Sequence, residues 1–383
     1  MSDTIFSLRS WPQAIVHIDG DAFFTSYEEA IHPELRGKPL ITGGERGIVA
    51  CASYAAKKIG VKRGVPLHEA RKMCPDLIVL PSDYETYSLF SKRMFDIMRR
   101  FTPVVEEYSI DEAFLDITGL RRAFHNSYEA IVREIKGEIE RGLGITVSAG
   151  LSLTKVLAKI GSKHKKPCGL TIISGREIAR YLKDLPVEKI WGVGPSTTAY
   201  LNKMAVRTAL DFARMPEATV RQRLTKPGIE IWQELRGESV YPVSAEEKSS
   251  YASISKTKTF APPTSDREYV YAHLLRNLES ACIKARRYDL APRRIIAYLK
   301  TQNFEGASCE AKLNRPSSYP VELAVVLKEM FDDLYRSRNL YRATGVVLLD
   351  LKPDTPLQMS LFEDAVKAER VSRSYQAIDE INQ

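Results

Sequence analysis

The sequence predicts a multi-domain α+β protein, and three observations carry that expectation. Its 383 residues exceed what one hydrophobic core usually serves. Strand and helix patterns alternate over residues 11 to 22 and 83 to 173, and the segment 23 to 82 between them reads as a small inserted lobe. An all-helical stretch, 174 to 245, then leads through a polar linker, 246 to 255, into a second strand-and-helix layer over 256 to 353.

The run Ala14 to Ile18 is apolar apart from His17 and ends in Asp19, the pattern of a short buried strand that delivers an acid at its end. From Asp83 to Phe101 the residues Tyr87, Phe90, Met94, Met98 and Phe101 recur at helical spacing, and Pro103 stops the helix. Val104 to Ile117 reads as two strands around a turn near Ser109 to Glu112, with Ala113, Leu115 and Ile117 on one face. A second amphipathic helix (Tyr128, Ile131, Val132, Ile135, Ile139) and a strand from Ile145 to Gly150 follow. Beyond Ser174 the pattern turns helical, punctuated by Gly192, Gly194 and Pro195, with no convincing strand before Pro242. The last layer reads strand (252 to 260), helix (266 to 287), strand (293 to 301), strand (307 to 313), helix (320 to 335), strand (342 to 351), a split βαβ order with both helices on one sheet face. A tail, 354 to 383, begins among Pro353 and Pro356; its Val371, Tyr375, Ile378 and Ile381 read as a helix that ends uncapped at Gln383, so a longer natural chain is expected.

Composition narrows the function classes. With 44% apolar and 27% charged residues and no apolar run of membrane length, no membrane span is expected. The N-terminus lacks a secretory signal, and Cys51, Cys74, Cys168, Cys282 and Cys309 are scattered without a C-x-x-C pair, so a reducing cytoplasm is expected and a zinc site is not. A net charge of +8 favours a polyanionic partner.

The chemistry is expected at two acidic elements. IVHIDGDAFF (Ile15 to Phe24) sets Asp19 and Asp21 about a glycine at a strand end, and YSIDEAF (Tyr108 to Phe114) sets Asp111 and Glu112 in a turn of the same layer. If the elements are adjacent, Asp19, Asp111 and Glu112 surround one point. Hard carboxylate oxygens there suit magnesium, and a metal pair would activate an attacking hydroxyl and stabilise a leaving pyrophosphate. Alternation along an extended chain would point Asp21 with Asp19, whereas a turn at Gly20 would redirect it; it is left outside this shell.

IVHIDGDAFF, ACASYAAKKIGVKRGVP (residues 50 to 66), YSIDEAF, SAGLSLTKVLAKIGSKHKKPCG and the glycine pair near 192 together resemble the Y family of translesion DNA polymerases, in the family's order over residues 14 to 195. The opening and the KKPCG segment are most similar to its DinB class, whereas YSIDEAF is equally similar to its UmuC class. The resemblance implies a right-hand polymerase: a ferredoxin-like palm (11 to 22 and 83 to 173), small fingers (23 to 82), a helical thumb with a helix-hairpin-helix (174 to 245) and an α/β little finger (256 to 353). It implies two Mg2+ ions, with Mn2+ able to substitute, on Asp19, Asp111, Glu112 and the carbonyl of Gly20. Phe24 takes the position of the steric gate that rejects a 2′-hydroxyl, with Phe23 beside it. Tyr54, Lys57 and Lys166 match positions that grip the triphosphate; most family members have an arginine where Lys57 stands, so a point charge replaces a bidentate clamp here. The small lobe implies an open nucleotide pocket with little checking of the base pair, and the sequence shows no separate proofreading module; with the resemblance, that implies low fidelity and lesion bypass without proofreading.

For DNA, IWGVGPSTTAYL (Ile190 to Leu201) resembles a helix-hairpin-helix, in which Gly192 and Gly194 let the backbone approach a phosphate. In the last layer Lys256, Lys258, Lys284, Arg286, Arg287, Arg293, Arg294 and Lys300 form a basic cluster, with Lys256 and Lys258 expected on a groove-facing strand face. QMSLF, with Gln358, Leu361 and Phe362, is similar to the peptide by which bacterial polymerases dock on the sliding clamp. The implied partners are primer-template DNA, dNTPs and that clamp, for a monomer in the bacterial cytoplasm, associated with the nucleoid. A nucleotidyl cyclase also sets acids on two metals but needs neither the hairpin nor the basic layer, and a non-catalytic repair factor would not need all three carboxylates.

Overall fold

Apolar character from Ala14 to Ile18, broken only by His17, drives the first strand of the computed structural model, β1 (Ile15–Gly20), into the middle of a sheet, where all of it is buried. The structure describes residues 10–246, 251–354 and 365–381. After β1 the chain forms α1 (Phe23–Ile31) and a small lobe of β2 (Leu40–Thr42), β3 (Cys51–Ala52), α2 (Tyr54–Lys58), α3 (Leu67–Met73) and β4 (Ile78–Leu80). The lobe has its own sheet, in the order β3-β2-β4, over a separate core that includes Ile41, Val49, Ala56 and Ala70. Helix α1 lies inside the stretch expected to be inserted, yet Phe23 and Tyr27 pack it on the main core. Their i, i+4 spacing gives it one apolar edge that β1 can cover.

The chain returns through α4 (Tyr84–Arg99), whose first turn is capped by the Asp83 carboxylate accepting from the Thr86 amide at 3.2 Å. There follow β5 (Val105–Glu107), β6 (Glu112–Asp116), α5 (Leu120–Ala123), α6 (Tyr128–Leu143), β7 (Val147–Ser152), α7 (Lys155–His164) and β8 (Leu170–Ile172). The sheet order is β5-β6-β1-β7-β8. Its first four strands are antiparallel in the expected ferredoxin-like order, and β8 adds parallel to β7. Alternation splits the sheet into two faces. Val16, Ile18, Ala113, Leu115, Val147 and Ala149 bury against α1, α4 and α6, and Ala113, Leu115 and Ile117 share that face as their spacing predicts. Ile15, His17 and Asp19 point the other way, toward α7.

Helix α7 covers that second face at unusually short range. A Cβ on Gly150 of β7 would lie 2.0 Å from the carbonyl oxygen of Ala158 and 2.3 Å from the amide of Ser162, so only glycine lets the helix backbone settle there. Leu153, Val156, Leu157 and Ile160 then join the helical segment of α8 (Ile178–Leu182), α9 (Pro195–Lys203), α10 (Ala209–Ala213), α11 (Glu217–Arg223) and α12 (Lys226–Leu235) in a second core around Leu201, Phe212 and Trp232. A fully buried carboxylate, Glu234, fastens the two together. It accepts from the Val156 amide in the first turn of α7 at 3.1 Å and from the Val240 and Tyr241 amides at 2.7 and 2.9 Å.

Residues 1–246 form one compact unit and 247–383 a second. The second contains β9 (Ser253–Thr264), α13 (Arg267–Arg287), β10 (Leu290–Thr301), β11 (Gly306–Lys312), α14 (Pro320–Leu334), β12 (Tyr341–Pro353) and α15 (Ala365–Ile381), close to the expected windows. Its order, β11-β10-β12-β9 with every neighbour antiparallel, makes two interlocked split βαβ units: β9 and β10 flank β12, and β11 and β12 flank β10. Both α13 and α14 bury one face, against Ile254, Ile295, Ala297, Leu299, Val346 and Leu348. Register puts Arg294, Ile296, Tyr298, Lys300, Glu310 and Lys312 on the other face, which no helix among the described residues covers. Helix α15 seats on this unit through a bidentate Arg286–Asp379 pair (2.6 and 2.8 Å) and a Tyr319–Tyr375 stack. The QMSLF segment lies outside the described residues. Among those residues no helix is long and apolar enough to cross a membrane.

Candidate active site

Strand register brings the two acidic elements together. Asp19 on β1 pairs with Glu112 on β6 and with Ser148 on β7, and the Gly20 amide donates to the Asp111 carbonyl at 2.8 Å. Residues directly opposite in a sheet present their side chains to the same face, so Asp19 and Glu112 both look toward α7. The three acids are thus neighbours at one end of the central strands, as their sequence positions suggest.

Their carboxylates do not converge. Among the described residues no three acidic, histidine or cysteine groups gather into a ready-made metal cluster. Asp19 ion-pairs with Lys166, Glu112 with Lys159, and Asp111 accepts from the Ser109 hydroxyl at 2.7 Å. The three are neighbours, as expected, with each carboxylate held by its own donor. Like charges at adjacent strand ends repel, and each carboxylate turns to the nearest donor. The donor set nevertheless fits a hard divalent cation: three carboxylates on adjacent elements whose charges act on one another. Burial raises the Asp19 pKa to about 6, Lys166 opposes that shift, and Glu112 and Asp111 add to it. Burial also works to raise Glu112, but the imidazole of His17 and the ammonium of Lys159 beside it outweigh that and hold the carboxyl well below the usual range.

His17 lies beneath these acids, fully buried, with Nδ1 2.7 Å from the Ser162 hydroxyl and Nε2 3.5 Å from Glu112, too far for a strong hydrogen bond. Burial lowers its pKa to about 4, so the ring is neutral near pH 7. Asp21, also fully buried, accepts from the Ser148 hydroxyl (2.8 Å), the Cys168 amide (2.7 Å) and the Tyr54 hydroxyl (3.4 Å). It is a structural hub outside the group of three. Through it Tyr54 and the loop bearing Lys166 are tied to the end of β1. The Tyr54 hydroxyl is pushed well above the usual tyrosine range by burial and by Asp21. Lys57 is exposed, its ammonium 4.3 Å from the centre of the Tyr54 ring.

Of the two phenylalanines, Phe23 is the core member at 2% exposure, so any part it takes in holding a nucleotide falls to its backbone. Phe24 is half-buried, stacked on Tyr87 at 4.5 Å and edge-on to Tyr84 at 5.3 Å. Gly192 adopts φ +90° in the turn before α9, and Gly194, with no atom within 4 Å of where a Cβ would stand, leaves the backbone open.

Lys256 and Lys258 share a strand face, but it is the helix-covered one rather than the open one. They have the parity of Ile254 and Phe260, and Lys256 lies among the charges of Lys284 and Arg287 on α13, which together with burial depress its pKa. The open face is served by Arg294, Lys300 and Lys312, while Arg293 falls on the helix-side parity.

Sequence reasoning overlooked Lys155 and Lys159, both buried on α7, where Lys155 pairs with Glu106 at 2.7 Å. Their signal was available. Lys155, Lys159 and Lys163 recur every fourth residue, so they mark one stripe of an otherwise apolar helix.

Comparison with known proteins identifies the family. Residues 18–163 match the impB/mucB/samB family, 176–204 the IMS family HHH motif, and 251–361 the impB/mucB/samB family C-terminal domain. The chain is 34% identical over 370 residues to a DNA polymerase IV of Desulfatibacillum aliphaticivorans, covering 96% of this chain and 93% of that one. It is 32% identical over 345 residues to a DNA polymerase IV of Listeria innocua, covering 88% and 95% respectively. Among solved structures it resembles the Y-family DNA polymerase chimera Dbh-Dpo4(243-245)-Dbh, with a TM-score of 0.75 and 26% identity over 88% of this chain and 99% of that one. An insertion ternary complex of Dbh DNA polymerase matches with a TM-score of 0.58 and 26% identity, over 88% and 98%. Matched by these family models over residues 18–163, 176–204 and 251–361 and by relatives over most of its length, the chain belongs to the Y family of DNA polymerases and is similar to DNA polymerase IV.

Proposed function

We propose that this polymerase extends primers past damaged template bases with low fidelity and without proofreading, using divalent metal held by Asp19, Asp111, Glu112 and the carbonyl of Gly20. The observation that carries this reading is the register of Asp19 opposite Glu112, with Gly20 bonded to Asp111, at the end of buried strands. Two Mg2+ ions, or Mn2+ in their place, supply activation of the primer hydroxyl and charge stabilisation of the leaving pyrophosphate. The protein's own groups do the rest. Lys166, beside Asp19, and Lys57, beside Tyr54, bring positive charge to the triphosphate. The half-buried ring of Phe24 meets the sugar and leaves no room for a 2′-hydroxyl. The small three-stranded lobe covers the nucleotide with little surface to test the base pair, which favours bypass over accuracy.

Primer-template DNA is held without sequence preference, through backbone amides around Gly192 and Gly194 and through the basic residues of the open face of the last layer, Arg294, Lys300 and Lys312. Gln358, Leu361 and Phe362 serve as the sliding-clamp anchor of a monomer working at the bacterial nucleoid. Primer extension opposite an abasic site, with Mg2+ and then with EDTA, tests the reading. Templated products that depend on metal support it, and their absence on damaged and undamaged templates alike defeats it. In the same assay Phe24→Ala is expected to incorporate ribonucleotides, and unchanged sugar selection removes the gate assignment.

A further inference from the structure

Lys159 is 4% exposed, in a place where an ammonium has lost most of its water. Such a charge persists only where carboxylates and aromatic faces replace the hydration. Here Nζ ion-pairs with Glu112 and lies 4.2 Å from the centre of the Tyr108 ring, 5.2 Å from Trp191 and 5.9 Å from Phe114. The walls of this box come from three parts of the chain. Tyr108 stands just before the turn bearing Asp111, Phe114 is on β6 two residues past Glu112, and Trp191 immediately precedes Gly192 of the hairpin. The indole N–H of Trp191 donates to the Tyr108 hydroxyl at 3.0 Å, and its ring lies edge-on to Tyr108 and tilted against Phe114. The close approach of α7 at Gly150 is what carries the lysine this far under the strand ends.

From this geometry we infer that Lys159 is a positioning residue: held in the Tyr108, Phe114 and Trp191 box, it aims the Glu112 carboxylate and makes that aim depend on the seating of the 190–194 hairpin. A surface lysine paired with Glu112 would swing with solvent, whereas this one has three rings fixing where its charge stands. Because Trp191 and Gly192 are adjacent, a shift of the hairpin moves one wall of the box. The consequence for catalysis rests on the polymerase reading above, but the box itself does not.

Two measurements separate these levels. In EDTA, without DNA, the melting temperatures of Lys159→Met, Trp191→Leu and the double variant form a cycle. The loss in the double variant is expected to fall short of the summed single losses by about 2 °C. Strict additivity overturns the box. In single-turnover extension, Lys159→Met is expected to lower the maximal rate about 100-fold while nucleotide and DNA Kd stay within about threefold. Lys159→Arg, which keeps the charge, should recover about tenfold of that loss. Adding Trp191→Leu to Lys159→Met should slow the enzyme no further. A wild-type rate in Lys159→Met, a loss confined to Kd, or multiplicative losses in the double variant overturn the positioning role. If the wild type extends no primer, the polymerase reading fails while the melting cycle still decides the box.

Discussion

The two units are built on related scaffolds and put them to opposite uses. In each, split βαβ connections lay helices across one face of a sheet whose strands are antiparallel, apart from β8 at the edge of the first. In the first unit the remaining face is also covered, by α7, and the acids stand at the rim of that dry layer. In the second the remaining face is open and carries Arg294, Tyr298, Lys300 and Lys312. Covering a face makes a place where a few charges are strong because water is excluded. Leaving it open makes a surface for many weaker contacts with a large polyanion.

The largest test of this contrast is Asp111→Ala at the covered rim, which should cut templated incorporation by about 10³-fold or more while DNA affinity holds. A modest loss would take the chemistry away from that rim. Next come the glycines that set how near each sheet's neighbours approach. Gly150→Ala drives a Cβ into backbone and should cost about 3 kcal/mol in chemical unfolding. Gly345→Ala on the open face meets the Tyr298 ring, which can rotate away, and should cost about 1 kcal/mol. Equal costs would mean that α7 is not held more tightly than a side chain.

Acid should expose the covered layer through His17. Its folded pKa of about 4 lies below the ordinary 6.5, so between those values the unfolded chain binds a proton that the folded one refuses, and stability falls as the pH falls. Asp19, raised to about 6, acts in the opposite sense over much of that window, so the comparison is wild type against His17→Leu. From pH 7 to 5 the wild type should lose about 2 kcal/mol more than the variant. Parallel profiles would show that water reaches His17. The smallest effect is on DNA. Lys300→Ala with Lys312→Ala should lower the salt slope of binding by about 2, and Lys256→Ala with Lys258→Ala by less than about 1. The reverse order would place the duplex on the helix-side edge.

Period and capping carried most of the architecture. Ala113, Leu115 and Ile117 announced their shared face, and the last layer's strands fell close to where alternation put them, because one-sided burial fixes both register and pattern. The acids were legible as a motif, and their adjacency follows from the antiparallel pairing of β1 with β6. What stayed hidden depends on contacts between distant segments. The stripe of Lys155, Lys159 and Lys163 is visible in the sequence, but not the burial of Lys159, which Gly150 decides by setting α7 against the sheet. Lys256 and Lys258 gave the right parity but not its sense, since nothing local says which face two later helices will choose. Phe23 and Phe24 could not be separated by hydropathy; both rings meet α4, and depth of burial tells them apart, Phe23 in the core and Phe24 half-buried.

Asp21 has a consequence for the order of assembly. Its carboxylate is satisfied by residues 33, 127 and 147 positions away along the chain, from the inserted lobe, from β7 and from the loop beyond α7. Ordering such distant partners carries a large loop-closure entropy, so these bonds belong among the last to form. Until they do, the carboxylate stays hydrated and the end of β1 stays open. A nascent or partly unfolded chain therefore presents its acids to solvent as ordinary surface charges, and the pocket comes into being only with the completed fold.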